Sequence, residues 1–374
     1  MNSLFSVHGD RAVEFFVEIN EVVKVDPLEV NRRGFVSGVV AAAAGAAFGV
    51  PLGGDVGADS SRPFKVCVFA DIHFDDFWTN SDDTSFLDGI MARAEREKCD
   101  MMIHLGDFMH GVEKPRQRMF VERYNASRIP AYHVLGNHDQ DQCDAQATLD
   151  AYRMKGAGYY SFDRCGFRFV VADANYFCLE PGKFVHYGKG GHAFIKGRHG
   201  YSVPPEQLEW LRSVIVGSPY PCVVMAHESF ERANYMPVRN ASEVRRIFAE
   251  ANAKRPGTVR LVMNGHNHND NLRILDGIPY WDVNSANYQW FGKRHDKYPP
   301  EYVKRHPGSV HILGWTKPLS AILSLWPDGR VRIEGSEADW LFGVTAKAAG
   351  FPECDADGRE THPKILSADF RLFA

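Results

Sequence analysis

Five strand-length apolar runs, far apart in the chain, each close on Asp, Asn or His, and this repetition limits the fold more than any other feature. "FKVCVFADIHF" carries Val66, Val68 and Phe69 to Ala70, then to Asp71 and His73. "MMIHLGDF" closes on Asp107, "AYHVLGNHD" on Asn137, His138 and Asp139, "CVVMAHESF" on His227, and "VRLVMNGHNHND" on His266 and His268. The segments between them show helical spacing, with Leu87, Ile90, Met91 and Ala94 on one face, and Val244, Ile247, Phe248 and Ala251 on another. Buried runs alternating with amphipathic helices predict an α/β chain of parallel strands. Ligands of such sheets bind outside the C-terminal strand ends, which is where these polar residues fall. A turn uses Gly, Asn or Asp for backbone reasons, but it has no use for five histidines.

Other stretches fill in the organisation. "YYSFDRCGFRFVVADAN" reads as a hairpin turning near Arg164 to Gly166, and Pro204 and Pro205 open a helix that buries Leu208, Leu211 and Ile215. Glu180 to Pro205, rich in Gly and basic residues, is expected to be a long surface loop. The last third is strand-rich, with a Pro-Asp-Gly turn inside "ILSLWPDGRVRIEG".

Imidazole nitrogens and carboxylate oxygens together suit divalent first-row metals. The seven cysteines are scattered without a C-x-x-C pair, which argues against a disulfide framework or a zinc-thiolate site. Cys67 and Cys222 lie inside apolar runs and read as buried structural thiols. A net charge of −4 gives no nucleic-acid-coating surface, so no stable nucleic-acid binding is expected. An anionic substrate stays open where bound cations supply the field. Each histidine taken singly also fits a hydrogen-bonded structural residue, and His104, His110 and His133 are read in that way.

The ordered series Asp71-x-His73, Gly106-Asp107, Gly136-Asn137-His138-Asp139, His227 and Gly265-His266-x-His268 resembles the motif set of the calcineurin-like metallophosphoesterases, over about residues 64–268. The resemblance implies a four-layer αββα sandwich, with the tail to about residue 340 finishing its second sheet. It implies two divalent ions (manganese, iron or zinc), one bound by Asp71, His73 and His268, the other by Asn137, His227 and His266, with Asp107 between them. His138 matches the family's catalytic imidazole and Asp139 its orienting partner. The implied activity is hydrolysis of small phosphate esters by metal-activated water, with His138 as acid or charge stabiliser. A non-catalytic protein that binds metal and phosphate is the alternative, and the presence of His138 favours the enzyme.

Departures from related patterns narrow the choice. His110 stands where purple acid phosphatases place a tyrosine ligand, and "GDFMHG" and "LGNHD" differ from the "GDxVDRG" and "RGNHE" of serine/threonine protein phosphatases. His73 together with "GNHD" most resembles the cyclic-nucleotide phosphodiesterase-like branch, which puts phosphodiesters first and phosphomonoesters second. Asn287, Tyr288 and Trp290 in "NSANYQWF" are candidate substrate contacts, with core packing equally open to Trp290, and His192 with Lys189, Arg198 and His199 could contact a phosphate, though a solvated loop is the commoner outcome for such a stretch.

Ahead of this region, Arg32 and Arg33 precede an Ala/Gly-rich stretch from Phe35 to Val50, then Val56-Gly57-Ala58. This resembles a twin-arginine signal, so residues 1–58 read as an N-terminal extension and residues 59–374 as one metallophosphoesterase domain with a strand-rich C-terminal segment. Passage through the twin-arginine machinery to the periplasm or the exterior is the expectation. The same stretch also fits a linker or an internal helix in a cytoplasmic protein. A reporter carrying residues 1–60 distinguishes these, because changing Arg32 and Arg33 to Lys blocks export only if the signal is real.

Overall fold

Two six-stranded sheets carry the apolar runs in the computed structural model, which describes residues 62–75, 77–79, 84–141, 143–189, 200–234 and 236–371. The N-terminal extension and His192, Arg198 and His199 lie outside the described residues. The first sheet runs Ala368–Arg371, Arg330–Glu334, Ala321–Leu325, Phe64–Phe69, Met101–His104, Ala131–His133. The second runs Asn271–Leu275, Ile278–Asp282, Val259–Asn264, Cys222–Met225, Phe167–Val171, Tyr160–Arg164.

The motif-bearing strands are parallel neighbours in both sheets. Val66 pairs with Met101 and Met102 with Ala131 in the first, while Met225 pairs with both Val171 and Met263 in the second. All five polar tips therefore emerge at strand C-termini, as the pattern of runs predicted.

Strand alternation builds the layers. Phe167, Phe169, Val171, Val223, Met225, Leu261 and Met263 share one core with the first sheet. The alternate residues Val170, Cys222, Val224 and Val262 pack under helices Pro205–Val216 and Ala241–Lys254 through Leu211, Ile215, Val244 and Phe248. Between the sheets Phe64 meets Phe169 at 5.7 Å and Tyr132 stacks on Phe162 at 4.1 Å. Beyond the first sheet, Phe69 packs edge-on against Tyr124 of helix Pro115–Asn125, and helix Ser85–Arg96 buries Leu87, Ile90 and Ala94. The order is helix, sheet, sheet, helix. Each large apolar side chain so buried contributes roughly 1.5–3 kcal/mol.

The hairpin at residue 165 is as predicted, with Cys165 and Gly166 both at positive φ, 47° and 79°, the backbone that a tight two-residue turn requires. Two expectations are corrected. Of the tail expected to finish the second sheet, Asn271–Leu275 and Ile278–Asp282 do so, but the strands of 321–334 complete the first. Ala321–Leu325 is buried along its whole length, so it lies between two strands, antiparallel to Phe64–Phe69 on one side and to Arg330–Glu334 on the other. The expected loop at 180–205 is partly strand, because Tyr176–Glu180 pairs with Lys183–His186 and Tyr201–Ser202. Among the described residues no helix is long and apolar enough to cross a membrane.

Candidate metal centre

Backbone hydrogen bonds stitch the strand ends together before any side chain is considered. Asp71 N–H donates to the Gly106 carbonyl and His73 N–H to the Asp107 carbonyl, both at 3.0 Å, and Gly265 N–H to the His227 carbonyl at 3.1 Å. Across the two sheets Ala286 N–H donates to the Ala70 carbonyl at 2.8 Å and Ser285 Oγ to the Asp71 carbonyl at 2.7 Å. Asp71, His73, Asp107, His266 and His268 all adopt left-handed backbone, with φ from 48° to 67°. That conformation costs a non-glycine residue of order 1–3 kcal/mol and persists where the surroundings over-determine it.

The glycines of the motifs make room for a ligand from another strand. A Cβ at Gly106 would fall 2.3 Å from His227 Nδ1, one at Gly136 2.2 Å from Asp107 Oδ1, and one at Gly265 2.6 Å from Asp71 Oδ2. No other residue fits these positions without displacing a candidate ligand.

Six side chains converge in two groups, each with its donor atoms within 4.8 Å of one another. In the first, His73 Nε2 is 3.1 Å from His268 Nε2, and Asp71 Oδ1 is 3.3 Å from His268 Nε2. In the second, His227 Nε2 is 3.1 Å from both Asp107 Oδ2 and His266 Nδ1. Asp107 Oδ2 is also 3.7 Å from His73 Nε2, so this one carboxylate faces both groups. Asn137 is buried, and its Oδ1 has no hydrogen-bond partner, while the neighbouring His138 N–H donates to Asp107 Oδ1 at 2.8 Å.

The donor set fits divalent cations. Ligand atoms about 2.0–2.2 Å from one ion lie roughly 3–3.5 Å apart, and the donors here stand 3.1–3.9 Å from one another. The ring orientations agree. His227 Nδ1 donates to the Leu105 carbonyl and His268 Nδ1 to the Tyr288 carbonyl, both at 2.7 Å, which turns each Nε2 towards its group, a lone pair there once any proton on it is displaced. His73 Nδ1 lies 3.1 Å from His110 Nε2, whose ring reaches Asp141 Oδ2 through Nδ1 at 3.3 Å. With each ring donating towards that carboxylate, His73 Nε2 is also a lone pair. Burial pushes His73 and His266 well below the usual imidazole range. Burial pushes the same way at His227, yet the adjoining Asp107 carboxylate outweighs it and raises this ring well above that range.

His138 stands beside both groups, its ring 5.2 Å from that of His73. Burial opposes its charge, but Asp141 and Asp107 outweigh burial and raise it to about 9. The expected partnership with Asp139 is corrected. His138 Nδ1 bonds Asp141 Oδ2 at 2.7 Å, whereas the Asp139 carboxylate accepts from Phe108 N–H, Gly136 N–H and Tyr152 Oη at 2.7–2.8 Å and from Met109 N–H at 3.1 Å. Asp139 thus clamps the second and third motif loops to each other. Residues His138–Gln140 form a 3₁₀ turn, which swings residue 141 back beside 138. The i,i+3 spacing of "HDQD" was the available signal.

Other predicted residues divide. His110, expected to be structural, lies at the centre between His73 and Asp141. His104 and His133 are structural, with His104 Nε2 2.7 Å from His133 Nδ1 in the core. Asn287 does not present itself to a substrate: it is buried, and its Nδ2 donates to the Ile72 carbonyl at 3.0 Å and to Thr79 Oγ1 at 2.9 Å. Tyr288 is likewise buried, with its ring stacked 5.1 Å from that of His73. Both brace the loops that carry the donors. Tyr187, not singled out from sequence, donates to Asp141 Oδ1 at 3.3 Å.

Residues 64–270 match the family model described as calcineurin-like phosphoesterase. Among solved structures, a dimetal phosphatase from Danio rerio aligns at 15% identity with a TM-score of 0.54, over 83% of this chain and 100% of that one. The structure of PhoD aligns at 13% identity with a TM-score of 0.48, over 83% of this chain and 68% of that one. GAP50, the anchor in the inner membrane complex of Plasmodium, aligns at 11% identity with a TM-score of 0.44, over 84% and 90%. At 15% identity the likeness to the first of these is one of fold. No curated protein was found to match in sequence.

Proposed function

The chain belongs to the calcineurin-like phosphoesterase family and is a metal-dependent phosphoesterase, and from that premise we propose that it hydrolyses phosphodiesters in preference to phosphomonoesters, on the resemblance of His73 and "GNHD" to the cyclic-nucleotide phosphodiesterase-like branch. The observation that carries the two-ion reading is Asp107, whose Oδ2 lies 3.1 Å from a nitrogen of one donor group and 3.7 Å from a nitrogen of the other. In this reading Asp71, His73 and His268 would hold one ion, Asn137, His227 and His266 would hold the second, and Asp107 would serve both. Manganese, iron and zinc all suit these nitrogen and oxygen donors.

Bound there, a divalent pair supplies Lewis acidity, polarising the phosphoryl oxygens and acidifying water. The chain's own residues do the rest. His138, its Nδ1 occupied by Asp141, hands a proton from Nε2 to the departing ester oxygen. Asp139 holds the loops of Asp107 and Asn137 in register, so donor and acid keep their separation. The buried rims of both sheets keep bulk water from the back of the centre.

The test is hydrolysis of bis(p-nitrophenyl) phosphate and p-nitrophenyl phosphate with added Mn²⁺. The diester is expected to turn over faster, and an Asp107→Ala, Asn137→Ala double variant is expected to cleave neither. A monoester preference would reverse the substrate order, and wild type no faster than the double variant on both would end the catalytic reading.

A further inference from the structure

Next to the donor cluster the chain leaves a row of aromatic rings at the surface. Trp78 has its ring 6.1 Å from that of His110, which in turn lies 4.8 Å from His138. Trp290 meets Trp78 edge-to-face at 4.7 Å, and Phe77 meets it in the same manner at 4.8 Å. Both tryptophans are only half-buried, and Phe77 is 45% exposed. Large rings left in water beside a polar centre mark a contact surface, because a flat apolar body gains most from being covered by another.

The segment that carries Trp78 is held in place. Gly308 N–H donates to the Phe77 carbonyl at 2.8 Å, and a Cβ at Gly308 would fall 2.3 Å from Trp78 Cε3, so the backbone there packs directly against the ring. The next residue is tied down as well, for Thr79 Oγ1 donates to the buried Asn287 Oδ1 at 3.0 Å. A platform already held in place loses little freedom when something stacks on it.

Building on the phosphoesterase reading above, we propose that Trp78, with Trp290 along its edge, forms a subsite for a planar aromatic group of the ester. The row of rings reaches the centre through His110, whose ring lies 4.8 Å from that of His138 and 4.9 Å from that of His73. A planar group carried by the ester would lie against it, and Trp78 selects for aryl or heteroaryl esters over alkyl ones. Stacking reads a flat face and not its edge atoms, so the subsite accepts a class of rings.

The experiment is calorimetric binding of non-hydrolysable phosphonates to the full, manganese-loaded chain, which needs no turnover. Phenylphosphonate is expected to bind about five- to tenfold more tightly than methylphosphonate or cyclohexylphosphonate, the range that an aromatic pair supplies. Trp78→Ala is expected to erase that advantage while leaving methylphosphonate affinity within about twofold, and Trp78→Phe to retain most of it. Equal binding of phenyl- and cyclohexylphosphonate by wild type, or a phenyl advantage that survives in Trp78→Ala, overturns the proposal. The wild-type comparison decides even if Trp78→Ala fails to fold. Methylphosphonate affinity reports on the ion centre and the phenyl advantage on Trp78, so the two readings fail separately.

Discussion

Changing Asp107 to Asn is expected to lower kcat/KM by about 10³-fold or more and to reduce bound metal from two ions per chain to one. The amide keeps the shape of the carboxylate but carries no charge, so the one oxygen that faces both donor groups attracts two cations far more weakly. The loss should also appear without substrate. An ion that binds only the folded chain stabilises it by RT ln(1 + [L]/Kd), about 2.7 kcal/mol at a hundredfold excess over Kd. The rise in melting temperature on adding Mn²⁺ should therefore be smaller in Asp107→Asn than in wild type. Metal analysis finding two ions in the variant, with a wild-type rate, would remove Asp107 from the bridging position.

The second large effect concerns His138 and its carboxylate. His138→Ala is expected to cost about 10²–10⁴ in kcat, and more on alkyl esters than on p-nitrophenyl esters, because a good leaving group departs without a proton. Asp141→Asn should lower kcat by about tenfold or more with little change in KM, since Asp141 acts through the ring that it orients. The double variant separates this role from a general weakening. If Asp141 works only through His138, then His138→Ala with Asp141→Asn is no slower than His138→Ala alone. Strict multiplication of the two losses would show that Asp141 acts elsewhere. Asp139→Asn provides the contrast, because it disturbs four hydrogen bonds that clamp the loops and should lower the melting temperature by the equivalent of about 1–3 kcal/mol.

The strand ends were legible in the sequence because two independent requirements fall on the same residues. Parallel strands buried on both faces must be continuously apolar, and ion donors must be Asp, Asn or His, so each run had a visible boundary where one demand gave way to the other. The glycine ahead of Asp107, Asn137 and His266 carried a third message, since each leaves room for a donor or for a neighbouring donor's backbone contact. What stayed hidden depended on side-chain direction. The partner of His138 is decided by a single 3₁₀ turn that favours Asp141 over the adjacent Asp139, and motif spacing does not reveal which carboxylate faces the ring. His110 and Trp78 belong to no block, and only the folded rim brings His110 beside His73 and His138, and Trp78 beside His110. Asn287 and Tyr288 were placed correctly near the centre but given the wrong task, because polarity in a sequence does not show whether a side chain points outwards or ties down a neighbouring loop.

The Ser285 hydroxyl that reaches across to the Asp71 carbonyl makes the centre a gauge of assembly. Asp71 belongs to one sheet and receives the His266 backbone N–H of the other at 3.0 Å, so the chelating pocket exists only after both halves of the sandwich have docked correctly. A slip of one residue in either half would turn alternate side chains away and leave nothing for an ion to grip. Capture of metal by this chain is thus a report that its two halves have found each other in register.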